Sequence, residues 1–164
     1  MSTIRVVRGV GRAGTAMASY DAALADANVH NYNLVAVSSV IPAEATVDLV
    51  ETAPDLGPAG NRLTVVQSRA TARAGTADRV CAGVGWTTGP GPGLFYEASG
   101  NDPDRVRDTI EHGLEEGRAL REWAFDAEEV ALATGEVPDR HEHGADTYTT
   151  AVVLAAYGES EPIL

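Results

Sequence analysis

Between positions 62 and 97 three strand-like runs, 62–69, 79–87 and 94–97, are separated by two glycine-rich turns, Ala74-Gly-Thr-Ala-Asp78 and Gly89-Pro-Gly-Pro-Gly93. No helix continues through the second turn, because proline lacks the amide hydrogen that a helix needs and glycine weakens a helix interior. Valine, threonine and aromatic residues fill the runs, as a pleated and half-buried surface favours. Strands joined by turns this short pair antiparallel. The middle third is therefore sheet, and the remaining elements must fit around it.

On the N-terminal side, residues 4–8 read as a first strand, with Gly9-Val-Gly11-Arg-Ala-Gly14 as a flexible turn into a helix over 15–28 whose inner face carries Met17, Tyr20, Leu24 and Ala27. Residues 32–37 read as a strand running into Ser38-Ser39, with Pro42 at an edge or bend, and 44–51 alternates as a half-buried strand does before a loop over 52–61. On the C-terminal side, Asp102-Pro103-Asp104 supplies an N-cap, a proline at the first helical position and an acidic first turn. Val106, Ile110, Gly113, Gly117 and Leu120 then recur at helical spacing. Two glycines on that apolar stripe imply close approach to a sheet. Last strands follow over 122–134 and 147–157, joined by a polar segment over 135–146. Two helices and about seven turn-linked strands predict one α/β domain over 1–164, of the α+β type: a sandwich of mixed or antiparallel sheets with packed helices.

Charge narrows the partners. The 164 residues carry a net charge of −12, which repels phosphate backbones and anionic lipid, so neither nucleic acid nor membrane is an expected partner and the small-molecule ligand is expected to be cationic or neutral. All 12 basic residues are arginine, so no lysine exists to hold pyridoxal phosphate as a Schiff base. Such a composition fits either a salt-adapted acidic surface or a GC-rich genome. Cys81 is the one cysteine, inside an apolar run, and reads as a core thiol. No apolar stretch reaches bilayer length and no leader-like segment opens the chain, which gives the expectation of a cytoplasmic protein.

Three arrangements could carry chemistry. Gly9, Gly11 and Gly14 spell the GxGxxG of a dinucleotide-binding turn after a strand and before a helix, but the second strand ends in serines with no acidic residue to hold a ribose, and repeated βαβ units are missing. An NAD(P) oxidoreductase is thus a lesser alternative. His141 and His143, with Asp139, Glu142 and Asp146 nearby, lack a third ligand at matching spacing and read as a solvated loop, so no metal is expected. The third is Ser38-Ser39. A serine hydroxyl held against the preceding carbonyl can convert the peptide into an ester, and β-elimination followed by hydrolysis then leaves a pyruvoyl cap and releases ammonia. The plain alternative is a pair of strand-end hydroxyls bonded to local backbone.

The context of that pair carries a resemblance. Asn33-Leu-Val-Ala-Val-Ser-Ser-Val-Ile-Pro-Ala-Glu44 closely resembles the processing segment of the pyruvoyl-dependent arginine decarboxylases. The likeness extends through Ser19-Tyr-Asp-Ala-Ala-Leu24, Ala27-Asn-Val-His-Asn-Tyr-Asn33, Gly93-Leu-Phe-Tyr-Glu97 and Arg121-Glu-Trp123. It implies self-cleavage into a β chain of 1–38 and an α chain of 39–164, with Ser39 becoming the pyruvoyl group and Ser38 supplying the carbonyl at the cut. The implied activity is conversion of L-arginine to agmatine and carbon dioxide through a Schiff base on that covalent group, without metal or PLP.

The resemblance also implies roles for other residues. Glu97 matches the proton donor, with apolar neighbours expected to keep it protonated; Asn33 matches an asparagine serving processing or the oxyanion; Asp21 matches the aspartate that binds the substrate guanidinium. The family further implies a trimer, or a dimer of trimers, with active sites between protomers. A non-catalytic oligomeric relative that keeps the fold without processing is the remaining alternative.

Overall fold

The computed structural model describes residues 2–143 and 146–164, apart from the side chain of His143. Its described elements form four layers, helix on sheet on sheet on helix. The first sheet has the order β2-β5-β9-β1-β4, and the second β3-β7-β6-β8. β1 (Thr3–Ala13) pairs antiparallel with β9 (Tyr148–Tyr157) and parallel with β4 (Thr46–Glu51). On the far side of β9 lies β5 (Arg62–Arg73), antiparallel, and β2 (Asn33–Ala36) adds to it in parallel. The second sheet is antiparallel throughout. Its centre is β6 (Arg79–Thr88), flanked by β7 (Gly93–Gly100) and β8 (Ala127–Glu136), and the two-residue β3 (Val40–Ile41) caps one end of β7. The sequence-based expectation of a mixed and antiparallel sandwich therefore holds.

Three apolar clusters glue the layers. Val6, Val66, Val84, Trp86, Phe95 and Val153 fill the space between the sheets. Val7, Leu24, Leu63 and Leu154 lie between the first sheet and α1 (Ala16–Asp26), while Leu94, Val106, Ile110 and Leu114 lie between the second sheet and α2 (Pro103–Ala119). β6 and β9 are covered on both faces, which is why each reads as a nearly unbroken apolar run rather than an alternating one. Cys81 is buried, and burial pushes its thiol above the ordinary value, as suits an inert core group.

Several local expectations need correction. The glycines at 9 and 11 are not in a turn: β1 continues through Ala13, pairing Gly9 with Val152 and Gly11 with Thr150. They are small because α1 lies on top of them. A Cβ at Gly11 would fall 2.5 Å from the Ala22 carbonyl carbon, and one at Gly9 3.0 Å from the Ala27 nitrogen. An extended strand under a helix cannot wrap a pyrophosphate, so the nucleotide-binding alternative loses its loop. Met17 is 69% exposed and Leu120 80% exposed; Ala23 and Leu114 take the inner positions instead. β4 is mostly exposed rather than half-buried, and β8 begins at Ala127 rather than Glu122.

The helix start was legible in detail: the Asp102 carboxylate accepts from the amides of Asp104 and Arg105, with Pro103 at the first position of α2. Gly113 and Gly117 admit the Tyr96 ring, as the stripe of small residues implied. The 135–146 segment contains one helical turn, α3 (Arg140–His143), in which His141 and Glu142 are exposed. The second ring of the His141/His143 pair lies outside the described residues.

Candidate active site

Ser38 and Ser39 occupy the crossing from one sheet to the other. The β2–β5 ladder ends with the Val37 amide donating to the Val65 carbonyl at 3.0 Å, and the opposite sheet begins with the Phe95 amide donating to the Ser39 carbonyl at 2.8 Å. Between these anchors the chain must turn within two residues. It does so with the Val40 amide donating to the Ser38 carbonyl at 2.9 Å, a three-residue turn centred on Ser39. Tyr157 at the end of β9 donates its hydroxyl to the Val40 carbonyl at 2.8 Å, fixing the far side of the turn. The Ser38 carbonyl is therefore both immobilised and polarised by a donor.

Glu97 completes the geometry. β7 outruns its neighbour β3, so beyond Leu94 its outer edge is open, and Glu97 lies there on the same face as Phe95. The Ser39 hydroxyl donates to Glu97 Oε2 at 3.3 Å. Ser38, Ser39, Val40, Leu94, Phe95, Tyr96, Glu97 and Arg121 line one cavity of about 330 Å³, within the range of small-molecule sites. Phe95 packs edge-on against Trp86 and Tyr157, with centroids 6.3 and 6.1 Å away, and so gives the floor a fixed shape. The Tyr157 hydroxyl is pushed up to about 12, chiefly by burial and then by the negative charge of Glu97.

Other expected residues fall elsewhere. Glu97 is exposed, not wrapped in apolar side chains: Leu94 and Tyr96 alternate to the opposite face, against α2. Asn33 does not reach the Ser38 carbonyl; its amide donates to the Gly60 carbonyl at 2.7 Å, and the carbonyl takes the Val40 amide instead. Asp21 is exposed on α1, on the face of the first sheet that points away from the second, and it does not line the Ser39 cavity. Two residues not given roles from the sequence, Tyr157 and Arg121, stand at the site. Arg121 belonged to a recognised motif, whereas Tyr157 carries no local signal because only the sheet order brings it to Val40.

A larger cavity of about 750 Å³ lies at the Arg79 end of β6, between Arg12, Asp78, Glu136 and Asp139, and contains no serine or cysteine nucleophile among its described lining residues. The arrangement at Ser39 is of another kind. It holds a serine peptide in a tight turn, with a donor on its carbonyl and a carboxylate at the following hydroxyl.

Comparison with known sequences agrees. The family model for pyruvoyl-dependent arginine decarboxylase (PvlArgDC) matches residues 3–162, and the chain belongs to that family. A relative from Halobacterium salinarum, named pyruvoyl-dependent arginine decarboxylase, is 54% identical over 167 residues, covering 99% of this chain and 98% of that protein. Proteins of the same name from Pyrococcus furiosus and Methanopyrus kandleri are 29% and 32% identical, covering 88% and 71% of this chain and 89% and 73% of their own lengths.

Proposed function

We propose that this chain cuts its own backbone between Ser38 and Ser39, and that the resulting two-fragment protein decarboxylates L-arginine to agmatine. The observation that carries this reading is the turn at Ser39, where the carbonyl to be attacked already accepts the Val40 amide and the attacking hydroxyl lies 3.3 Å from Glu97. Ser39 Oγ adds to the Ser38 carbonyl carbon while Glu97 draws off the hydroxyl proton, and the Val40 amide stabilises the oxyanion. Collapse breaks the peptide C–N bond, leaving an ester and a free Ser39 amine. Loss of the Ser39 α-proton then expels the Ser38 carboxylate. One water replaces the nitrogen as ammonia, leaving the ketone at residue 39.

The residues fit the group that results. Residue 39 lines the cavity, and its own carbonyl is held by the Phe95 amide. Bound there, the pyruvoyl group supplies an electron sink for a substrate amine, the chemistry that PLP supplies elsewhere. Glu97 is placed to return a proton to the substrate carbon, and the buried Phe95 ring gives the cavity an apolar floor on the same face. The exposed, anionic surface of the chain favours a doubly cationic substrate over an anionic one.

Two observations support an assembly with shared sites, a trimer or a dimer of trimers. Val35, Val37 and Val40 are each about two-fifths exposed around the cleavage segment, forming an apolar patch beside the cavity. Asp21 stands away from the cavity of its own chain, so its proposed contact with the substrate guanidinium needs a neighbouring protomer's copy at the cavity. The deciding experiment is intact mass under denaturing conditions. Two fragments, 1–38 and 39–164, with the larger lacking an N-terminal amine, are expected; one stable full-length species would instead make this an unprocessed relative.

A further inference from the structure

Arg121 lines the cavity that contains Ser39 and Glu97, yet neither the processing chemistry nor the proton transfer uses it. It lies just past the C-terminus of α2, half-buried, with Nη1 donating to the Gly117 carbonyl at 2.9 Å and its guanidinium 5.2 Å from the centre of the Trp123 ring. A guanidinium has five N–H donors, and one of these is spent on Gly117. Among the described residues no carboxylate lies within ion-pair reach of it, although the chain has twice as many acidic as basic residues. Its neighbour Arg118, by contrast, is paired with Glu128. A planar cation held on two sides and unpaired in an acidic protein is a preorganised receptor for an anion.

We propose that Arg121 binds the α-carboxylate of the amino-acid substrate. This rests on the decarboxylase reading above and names the group that distinguishes substrate from product at the same site. Substrate arginine brings one anion into a cavity that already holds the Glu97 carboxylate, and Arg121 offsets that repulsion with charge-assisted hydrogen bonds. The carboxylate leaves as neutral carbon dioxide, so the contact is stronger in the bound substrate than in the transition state. It therefore favours capture rather than the chemical step, and it lets agmatine go, because the product has no anion left to hold.

The test uses the full chain carrying Arg121→Gln. Denatured mass comes first: two fragments in the unmutated protein, with turnover of arginine, confirm the platform, and their absence there refutes the decarboxylase reading rather than the role of Arg121. In the cleaved variant, KM for arginine is expected to rise about tenfold or more, the loss of a hydrogen bond to a charged group. The kcat should not fall, and should rise to the extent that the contact is lost on the way to the transition state, while the inhibition constant of agmatine should stay the same. An unchanged KM overturns the proposal. So does an equal loss of affinity for arginine and agmatine, which a merely structural role would produce. Should the glutamine variant fail to melt cooperatively, Arg121→Lys decides: a raised KM for arginine with unchanged agmatine inhibition supports the carboxylate contact, and any parallel change in both refutes it.

Discussion

Replacing Gly11 by alanine tests the contact that positions α1, and with it Asp21. The added Cβ would sit 2.5 Å from the Ala22 carbonyl carbon and 2.6 Å from the Ala22 Cβ. Carbon atoms in contact settle near 3.5–4.0 Å, so the helix must recede by about 1 Å. The obstacle is helix backbone rather than the end of a flexible side chain, and β1 is held at Gly11 by its ladder with β9, which runs on to Ala13. Overpacking of this kind costs about 1–3 kcal/mol, and the upper part of that range applies here. Reduced freedom of the unfolded chain returns about 0.4–1 kcal/mol. The net loss is about 2 kcal/mol, which for a chain of this size lowers Tm by roughly 4–8 °C. Thermal unfolding followed by circular dichroism at fixed salt measures it. Gly14→Ala is the control, since its Cβ meets nothing nearer than 4.0 Å and should leave Tm within a degree or so of the parent. An unchanged Tm for Gly11→Ala, or equal losses at both positions, would show that helix contact is not the reason for glycine at 11.

Other outcomes follow from the site. Ser39→Ala removes the attacking hydroxyl and should leave a single full-length chain by denatured mass, with no arginine turnover. Glu97→Gln keeps a hydrogen-bond acceptor at the Ser39 hydroxyl but loses both the base and the proton donor, so cleavage should slow and decarboxylation by the cleaved fraction should fall by about 10²–10⁴; undiminished turnover would remove Glu97 from the reaction. Tyr157 holds its proton to about pH 12 in the folded chain, whereas an unfolded tyrosine loses it near 10. The unfolded state thus binds fewer protons between these values, and its contribution to stability, complete below pH 10, should disappear as pH rises to 12. Urea midpoints across that window should fall, and Tyr157→Phe should flatten the fall while loosening the Val40 carbonyl.

Legibility followed locality. α2 was readable because its cap, proline and apolar stripe all lie within one stretch, and the strands of the middle third because their turns leave few choices. Ser38-Ser39 was recognisable from its own flanks. Gly9 and Gly11 misled because glycine at every second position marks a helix packed on a strand as well as a turn, and only the small residues Ala22 and Ala23 facing them separate the two. The exposure of Glu97 depends on β3 being two residues long, and Tyr157 meets Val40 only because β9 is central to its sheet. Neither follows from spacing along the chain. The partner of Asn33 was not legible either: its amide is bonded to the Gly60 carbonyl across the sheet, and the Val40 amide is at the Ser38 carbonyl.

The position of β1 has one more consequence. It belongs to the segment before Ser38, yet it is wedged between β9 and β4, which belong to the segment after Ser39. Before the cut proposed between Ser38 and Ser39, assembling this sheet is a search within one molecule, aided by a tether whose closure costs little. After it, the same sheet is a complex of two polypeptides with no end of either left to guide the other. A precursor that unfolds can recover at any dilution, whereas a mature molecule that unfolds must find its partner again at a rate set by concentration. The proposed cleavage would therefore act as a seal on the fold as well as a source of reactivity.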